Sequence, residues 1–286
     1  MNREIDILKE FLNLPIDSAN SVFEKFQEDK AGKLLDIDGE KVYFKLGNRK
    51  DKILLIAHAD TVWDKRHYNY VTSTKLNNNY KTDFELDLED IPTTKPLSNY
   101  LQENVSTFYS NNNINGIGAD DRAGAAIVYL LKDTGNSVLI TDNEEIGAIA
   151  SRKLMQNPKL RDLIKSHRYI LQFDLKGTKN FKCYNAGSDD FKVMLETKTK
   201  YSMLPNFSYT DVAFLGKDIC GANFSIGYYN EHTPNEYLVK DEWLETYKVA
   251  EKLATGLHQQ FYTDPEFGNR TTQKAANDEI IINFDK

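Results

Sequence analysis

The sequence predicts an α/β layered sheet. Three observations carry that reading: apolar runs of strand length end in polar residues, segments of helical period separate them, and the alternation is regular over the second half of the chain. Ile5, Leu8, Phe11 and Leu12 recur at helical spacing, so an amphipathic helix is expected to open the chain and to end near Pro15. Two strands are expected next, KVYFKLG at 41–47 and KILLIAHAD at 52–60. From Trp63 to Asn115 the pattern turns polar and irregular, with ELDLED, a Thr-Thr-Lys-Pro segment and Asn111, Asn112 and Asn113 in a row, which reads as a long excursion with at most short elements. Alternation then returns: a helix from about Asp121 to Lys132, the strand SVLITD, a helix from Ile146 to Met155 and the strand RYILQFDL. FKVMLET and ANFSIGYY read as further strands, and a closing helix runs from about Lys240 to His258. Residues 263–286 are polar apart from IIINF and receive no assignment, and without repeats or low-complexity linkers the expectation is one catalytic domain over 1–286.

A chain of 286 residues buries a substantial core. Its formal net charge of -7 argues against a surface built to neutralise phosphates, so nucleic acid is not an expected partner. Cys183 and Cys220 are too few for a disulfide framework and lie in no CxxC pair, so both are expected to be reduced and structural. The opening MNREIDILKEFLNLP mixes charges with apolar residues, unlike a secretory leader, and no run approaches the roughly 20 apolar residues that span a bilayer. The expected location is cytoplasmic, with no membrane partner.

The chemistry-bearing residues sit at strand ends. His58 and Asp60 end ILLIAHAD, Glu144 and Glu145 follow SVLITD, Asp174 ends YILQFDL, His232 follows NFSIGYY, and Asp120 lies in the loop before a helix. Ligands of open α/β sheets bind beyond the carboxyl ends of the strands, so all of these can meet at one edge. Singly, each motif has a plain reading: a strand-end histidine, paired acids at a helix start, a carboxylate capping a helix. Their joint order and placement carry the functional reading.

That ordered set, HADTV, GADDRAG, DNEEIG, LQFDLKG and YYNEHTPNE, resembles the two-zinc aminopeptidases and carboxypeptidases of clan MH, the peptidase T-like tripeptidases in particular. The resemblance covers roughly Asn2 to His258 and includes the opening helix followed by FLNLP. It implies two divalent metal ions, zinc by expectation, held by His58, Asp120, Glu145, Asp174 and His232. The count is chemically sensible. With Asp120 bridging, His58 and Asp174 complete one site, Glu145 and His232 the other, and each metal keeps an open position. Glu144 takes the family's general-base position, and the resemblance implies that Asp60 accepts the second ring N–H of His58, as their two-residue spacing on a strand permits. The family also implies a cis peptide bond between Asp120 and Asp121.

One departure shapes the expected architecture. Peptidase T-like enzymes insert a lid domain between the later aspartate and the final histidine, whereas Asp174 and His232 are only 58 positions apart here. A three-layer α/β/α sandwich with a mixed, mainly parallel sheet and no inserted lid, like the compact single-domain zinc aminopeptidases, is therefore expected, with any oligomer formed by other surfaces. The expected activity is hydrolysis of peptide bonds, most simply removal of N-terminal residues from short peptides. The alternatives are an N-acyl amino acid deacylase or carboxypeptidase, a glutaminyl cyclase, or an inactive metal-binding protein. His67, His167 and His258 read as surface residues, with His67 near enough to the site in sequence to matter. Asp121 reads as a helix-start residue, and Tyr209, Thr210 and Asp211 as pocket-lining or, for the last two, capping residues.

Overall fold

The computed structural model describes residues 3–67, 101–111, 114–206 and 208–267. In chain order the elements are α1 (Arg3–Leu12), α2 (Asn20–Gln27), β1 (Lys33–Ile37), β2 (Glu40–Lys45), β3 (Leu54–His58), β4 (Leu101–Glu103), β5 (Thr107–Ser110), α3 (Ala119–Leu131), β6 (Ser137–Thr141) and α4 (Ile149–Gln156). They continue with α5 (Pro158–Lys165), β7 (Ile170–Leu175), β8 (Asn180–Lys182), α6 (Asp189–Thr199), β9 (Ser202–Met203), α7 (Asp211–Leu215), β10 (Gly221–Ser225), β11 (Tyr228–Tyr229), β12 (Tyr237–Val239) and α8 (Lys240–Thr255).

Eight strands form one sheet in the order β1-β2-β6-β3-β7-β10-β8-β9. β6, β3, β7 and β10 run parallel, while β1, β2 and β8 join antiparallel, so the sheet is mixed and mainly parallel, as expected. The central strands are buried end to end because both faces are covered, which is why they read as unbroken apolar runs. Side chains alternate between the faces with period two. Leu55, Ala57, Val138, Ile140, Leu171 and Phe173 pack in the core that α1, α2, α3, α6 and α8 share. Leu54, Ile56, Leu139 and Ile170 pack in a second core, against α4, α5 and α7. Two cores separated by one sheet make the three layers.

The connectivity places the site. From β3 the chain returns through α3 to β6 on one side, and from β6 it returns through α4 and α5 to β7 on the other side of β3. The two crossovers use opposite layers, so β3 ends in the crevice between them, where open α/β sheets bind ligands. His58 is its last residue.

A second, antiparallel sheet has the order β11-β12-β5-β4. It pairs the far end of the polar excursion, β4 and β5, with the two short strands that flank His232, so this part of the excursion braces the loop that carries His232. The part of the excursion at 68–100 and the tail at 268–286 lie outside the described residues.

FKVMLET is helical rather than a strand. Ser188 accepts the Phe191 N–H, Asp189 and Asp190 occupy the first turn, and Phe191, Leu195 and Thr199 bury one face at four-residue intervals. Helices α2 and α5 and strands β1, β8, β9 and β12 are additional to the expected elements, and the helix expected from Ile146 begins three residues later, at Ile149. His67, His167 and His258 are buried rather than superficial, each with polar partners: Asn143 for His67, Ser137 and the Ile164 carbonyl for His167, and the Asp51 and Leu253 carbonyls for His258. Both cysteines are buried and free. Among the described residues, no helix is long and apolar enough to cross a membrane.

His167 gives the fold a predictable acid limit. Its Nδ1 lies 3.0 Å from the Ile164 carbonyl oxygen, and its Nε2 lies 2.7 Å from Ser137 Oγ, which accepts the Gly47 N–H at 2.9 Å. Nδ1 must therefore carry the proton while Nε2 accepts the Ser137 hydroxyl, and burial pushes the imidazole down to about 4 from its usual 6.5. The unfolded chain binds this proton first, so the contribution is complete above about pH 6.5 and is lost as pH falls toward about 4, a difference of roughly 3 kcal/mol. His167→Gln is expected to flatten the dependence of urea-unfolding stability on pH across that window by about one proton. An unchanged slope would mean that His167 is protonated in the folded state.

Candidate metal centre

Each loop that carries an expected ligand is fixed by hydrogen bonds to its backbone, most of them from side chains distant in the sequence. Asp121 Oδ1 accepts the Gly124 N–H at 3.0 Å, which starts α3, and Asp121 Oδ2 accepts the His58 N–H at 3.1 Å, which ties that helix start to the end of β3. A Cβ at Gly124 would run into Asp121 Oδ1 and the Phe173 carbonyl, so only glycine lets α3 lie this close to β7. The peptide bond between Asp120 and Asp121 is cis. Glu236 brackets the preceding loop, accepting the Gly118 N–H at 2.7 Å and the Asp120 N–H at 3.2 Å.

Asp60 holds the next loop. Its carboxylate accepts the N–H of Glu144 at 3.1 Å and of Glu145 at 3.2 Å, and His67 Nε2 stands 3.3 Å from it. His58 Nδ1 is nearer to the Asp60 carbonyl, 3.0 Å, than to its carboxylate, 3.4 Å, so the main chain of Asp60 is the closer acceptor for the second ring N–H. On β7, Asn223 of the neighbouring strand locks Asp174 through both its N–H and its carbonyl, at 2.7 Å each. Asp174 Oδ2 accepts from Gln172 Nε2 and the Thr210 hydroxyl, and the Tyr228 hydroxyl reaches Oδ1 at 3.4 Å. His232 adopts a left-handed backbone, φ 62°, a conformation that non-glycine residues hold at a cost and that gathers at functional sites.

These brackets bring all five expected ligands together, with Asp120 at the centre. His58 Nε2 lies 3.1 Å from Asp120 Oδ1 and 3.6 Å from Asp174 Oδ1. His232 Nε2 lies 3.0 Å from Asp120 Oδ2 and 3.1 Å from Glu145 Oε2. Because His58 Nδ1 must donate to the Asp60 carbonyl, a neutral His58 points a bare lone pair at two carboxylates. Acceptors facing acceptors require a cation between them, either a proton or a metal ion. The charges say the same. Burial alone would lower His58, but Asp174, Asp120 and Asp60 raise it well above the usual imidazole value, and for His232 the Asp120 and Glu145 carboxylates overcome burial and push it up to about 11. Burial and the charge of Asp120 push Asp174 up to about 8.

A pair of metal ions fits these residues. Two ligands bound tetrahedrally at 2.0–2.1 Å from zinc stand about 3.3 Å apart, within the spread of the four distances above. Glu145 Oε1 is buried with no hydrogen-bond partner among the described residues, as befits a carboxylate oxygen meant for a cation. Asp121 is also close enough to His58 and Asp174 to share an ion with them. Both of its oxygens are already used by backbone N–H groups, which supports the helix-start reading and gives it a positioning role toward His58.

Asp120, Glu144, Glu145, Asp174 and His232 all line one cavity of about 280 Å³. Removal from water drives the half-buried Glu144 carboxyl well above its usual range, with Asp174, Asp211 and Glu145 adding to the shift and His58 opposing it. Tyr209, 82% exposed, stands at the cavity edge, as expected of a pocket-lining residue. Thr210 and Asp211 do not cap α7: Thr210 binds Asp174, and the buried Asp211 accepts the Thr141 and Ser151 hydroxyls at 2.6 Å each. Sequence reasoning missed the supporting residues Glu236, Gln172, Asn223 and Tyr228. Glu236 and Tyr228 had a signal, since they close and open the motif that contains His232, and Gln172 lies in the motif of Asp174; Asn223, inside an apolar strand, had none.

No protein-family model and no curated protein sequence matches the chain. Solved structures do match in fold. Pyrococcus horikoshii TET1 peptidase superposes with a TM-score of 0.55 at 15% identity over 89% of this chain and 100% of that one. Aminopeptidase PepT from Bacillus cereus gives 0.56 at 12% over 88% and 96%, and a tripeptidase from Staphylococcus aureus gives 0.54 at 11% over 89% and 98%. At such identities the likeness establishes that this chain has the α/β fold of those peptidases, and the chemistry must be argued from the residues of the site.

Proposed function

We propose that this chain is a two-zinc hydrolase of peptide bonds that removes N-terminal residues from short peptides. The observation that carries the proposal is the seating of Asp120, whose two carboxylate oxygens face the Nε2 atoms of His58 and His232 at 3.1 and 3.0 Å. One metal would take His58, Asp174 and Asp120 Oδ1; the other would take His232, Glu145 and Asp120 Oδ2. Imidazole with carboxylate at tetrahedral spacing suits zinc. Two divalent ions against three carboxylates leave a positive centre, which when bound polarises the scissile carbonyl and makes water acidic.

The chain's own residues supply the rest. Glu144, beside a ligand and lining the same cavity, takes the proton of the attacking water on its carboxylate and returns it to the departing amine. Asp60 holds Glu144 and Glu145 in register by their backbone N–H groups and orients the His58 ring through Nδ1. The carboxylates of Glu144 and Glu145, neither of which has a lysine or arginine partner among the described residues, favour a free ammonium group next to the scissile bond, which supports attack from the amino end.

Three outcomes test this reading. Asp120→Ala is expected to lose both zinc ions on dialysis, whereas Glu145→Ala and Asp174→Ala each weaken one; two tightly held equivalents in Asp120→Ala, by elemental analysis, would remove the bridge. Glu144→Gln is expected to keep both metals and to lower turnover by about a hundredfold to ten-thousandfold. Near-normal turnover at full metal content would take Glu144 out of the mechanism. Acetylation of the substrate's amino terminus is expected to abolish cleavage of a tripeptide by the zinc-loaded enzyme. Preferential cleavage of the blocked peptide would instead identify a deacylase or carboxypeptidase.

A further inference from the structure

One cationic side chain in the wall of the cavity has no ion-paired carboxylate among the described residues. Lys182, on β8, lines the same cavity as Asp120, Glu144 and His232. Its neighbour there, Lys176, is paired with Glu231 at 2.6 Å. Lys182 is half-buried and forms no ion pair among the described residues; of its three N–H donors, one reaches the Ser208 hydroxyl at 3.1 Å. Burial lowers its pKa and the charge of Lys176 lowers it further, with Glu231 opposing. A lysine kept partly from water, short of hydrogen-bond acceptors and beside a second cation gains most from an incoming anion.

The sheet register fixes how far that anion lies from the metal centre. Lys182 pairs with Asn223 of β10, and the Asn223 side chain is the one that locks Asp174 on β7. β8 is therefore two strands away from β7, roughly 10 Å at the backbone, and the lysine side chain spans part of that gap. An extended peptide advances about 3.4 Å per residue, so an anion held by Lys182 lies one or two residues beyond a carbonyl seated at the metals. The cavity, about 280 Å³, sits at the lower end of small-ligand pockets and suits a molecule of that length.

We propose that Lys182 binds the free α-carboxylate of the substrate, so that the site holds dipeptides and tripeptides by both termini; the proposal rests on the peptidase reading above. Ser208, whose hydroxyl accepts from Lys182, and Tyr184, whose hydroxyl accepts from Asn223, line the same cavity and each keep an O–H to donate. The carboxylate subsite is part of the catalytic sheet, at its edge opposite β1 and β2.

The test compares trialanine with its C-terminal amide on the zinc-loaded full chain. Cleavage is read as kcat/KM on the native protein, and binding by calorimetry on Glu144→Gln, where turnover is slow. The native ratio of acid to amide is expected to be about tenfold to a hundredfold, the worth of a charge-assisted hydrogen bond. Lys182→Met is expected to bring the ratio near one, and Lys182→Arg to retain most of it. Equal handling of acid and amide, or a preference that survives Lys182→Met, overturns the assignment. If the acid is bound preferentially and neither peptide is cleaved, the carboxylate subsite stands and the peptidase reading falls. If neither is bound, both fall.

Discussion

Three carboxylates and two imidazoles meet at the end of β3 with their acceptors facing one another, and this crowding of negative charge is the constraint on which the surrounding structure depends. Burying unpaired charge in a site of low dielectric is costly, so the arrangement is stable only with cations between the ligands. The neighbouring residues are placed accordingly. Asp121, Glu236 and Asn223 hold backbone groups of these loops, and Asp60 holds both the Glu144–Glu145 backbone and the His58 Nδ1, leaving the facing atoms of His58, Asp120, Glu145, Asp174 and His232 free to converge.

Charge balance extends outward in layers. Arg122, buried and fully within α3, donates to the Ala59, Pro15 and Ser18 carbonyls, placing a positive group behind Asp60 and Asp121 while drawing the α1–α2 connection against the end of β3. Arg66 clamps Asp64 and Asp142 with two nitrogens on each, at 2.7–2.9 Å, at the start of the turn that carries Glu144 and Glu145. Such networks add rigidity more surely than net stability. Under the proposed function that rigidity would serve to hold a water, a carbonyl and Glu144 in reacting geometry.

The cavity carries both signs of charge. Glu144 and Glu145 stand on the β6 loop, while Lys176, paired with Glu231, and Lys182 stand beyond Asp174 on the turn after β7 and on β8. Under the proposed function a short zwitterionic peptide would meet both signs, and a longer chain, whose carboxylate lies elsewhere, would gain only from the acidic part.

The sequence by itself determined the layered fold and placed His58, Glu145 and Asp174 at or just beyond strand ends, because strand-end motifs in an α/β sheet are local features: an apolar run, its terminal polar residue and the loop that follows are contiguous in the chain. His58 and Asp174 were legible for that reason, as were the helix of GADDRAG and the pairing of Glu144 with Glu145. FKVMLET was misread because its apolar residues fit either period, and the decision lay with the Ser188 cap and with which face met the core. Only the tertiary structure decided what was non-local. Asn223 reaches Asp174 across a strand pair, Glu236 reaches Asp120 across more than a hundred residues, and Lys182 comes to the cavity through strand register. The partners themselves leave no spacing signal, even for Glu236, whose place in the His232 motif marks the residue but not its contact, since bonding between distant segments depends on strand order and alignment, which are set by packing of the two cores and not by any one segment.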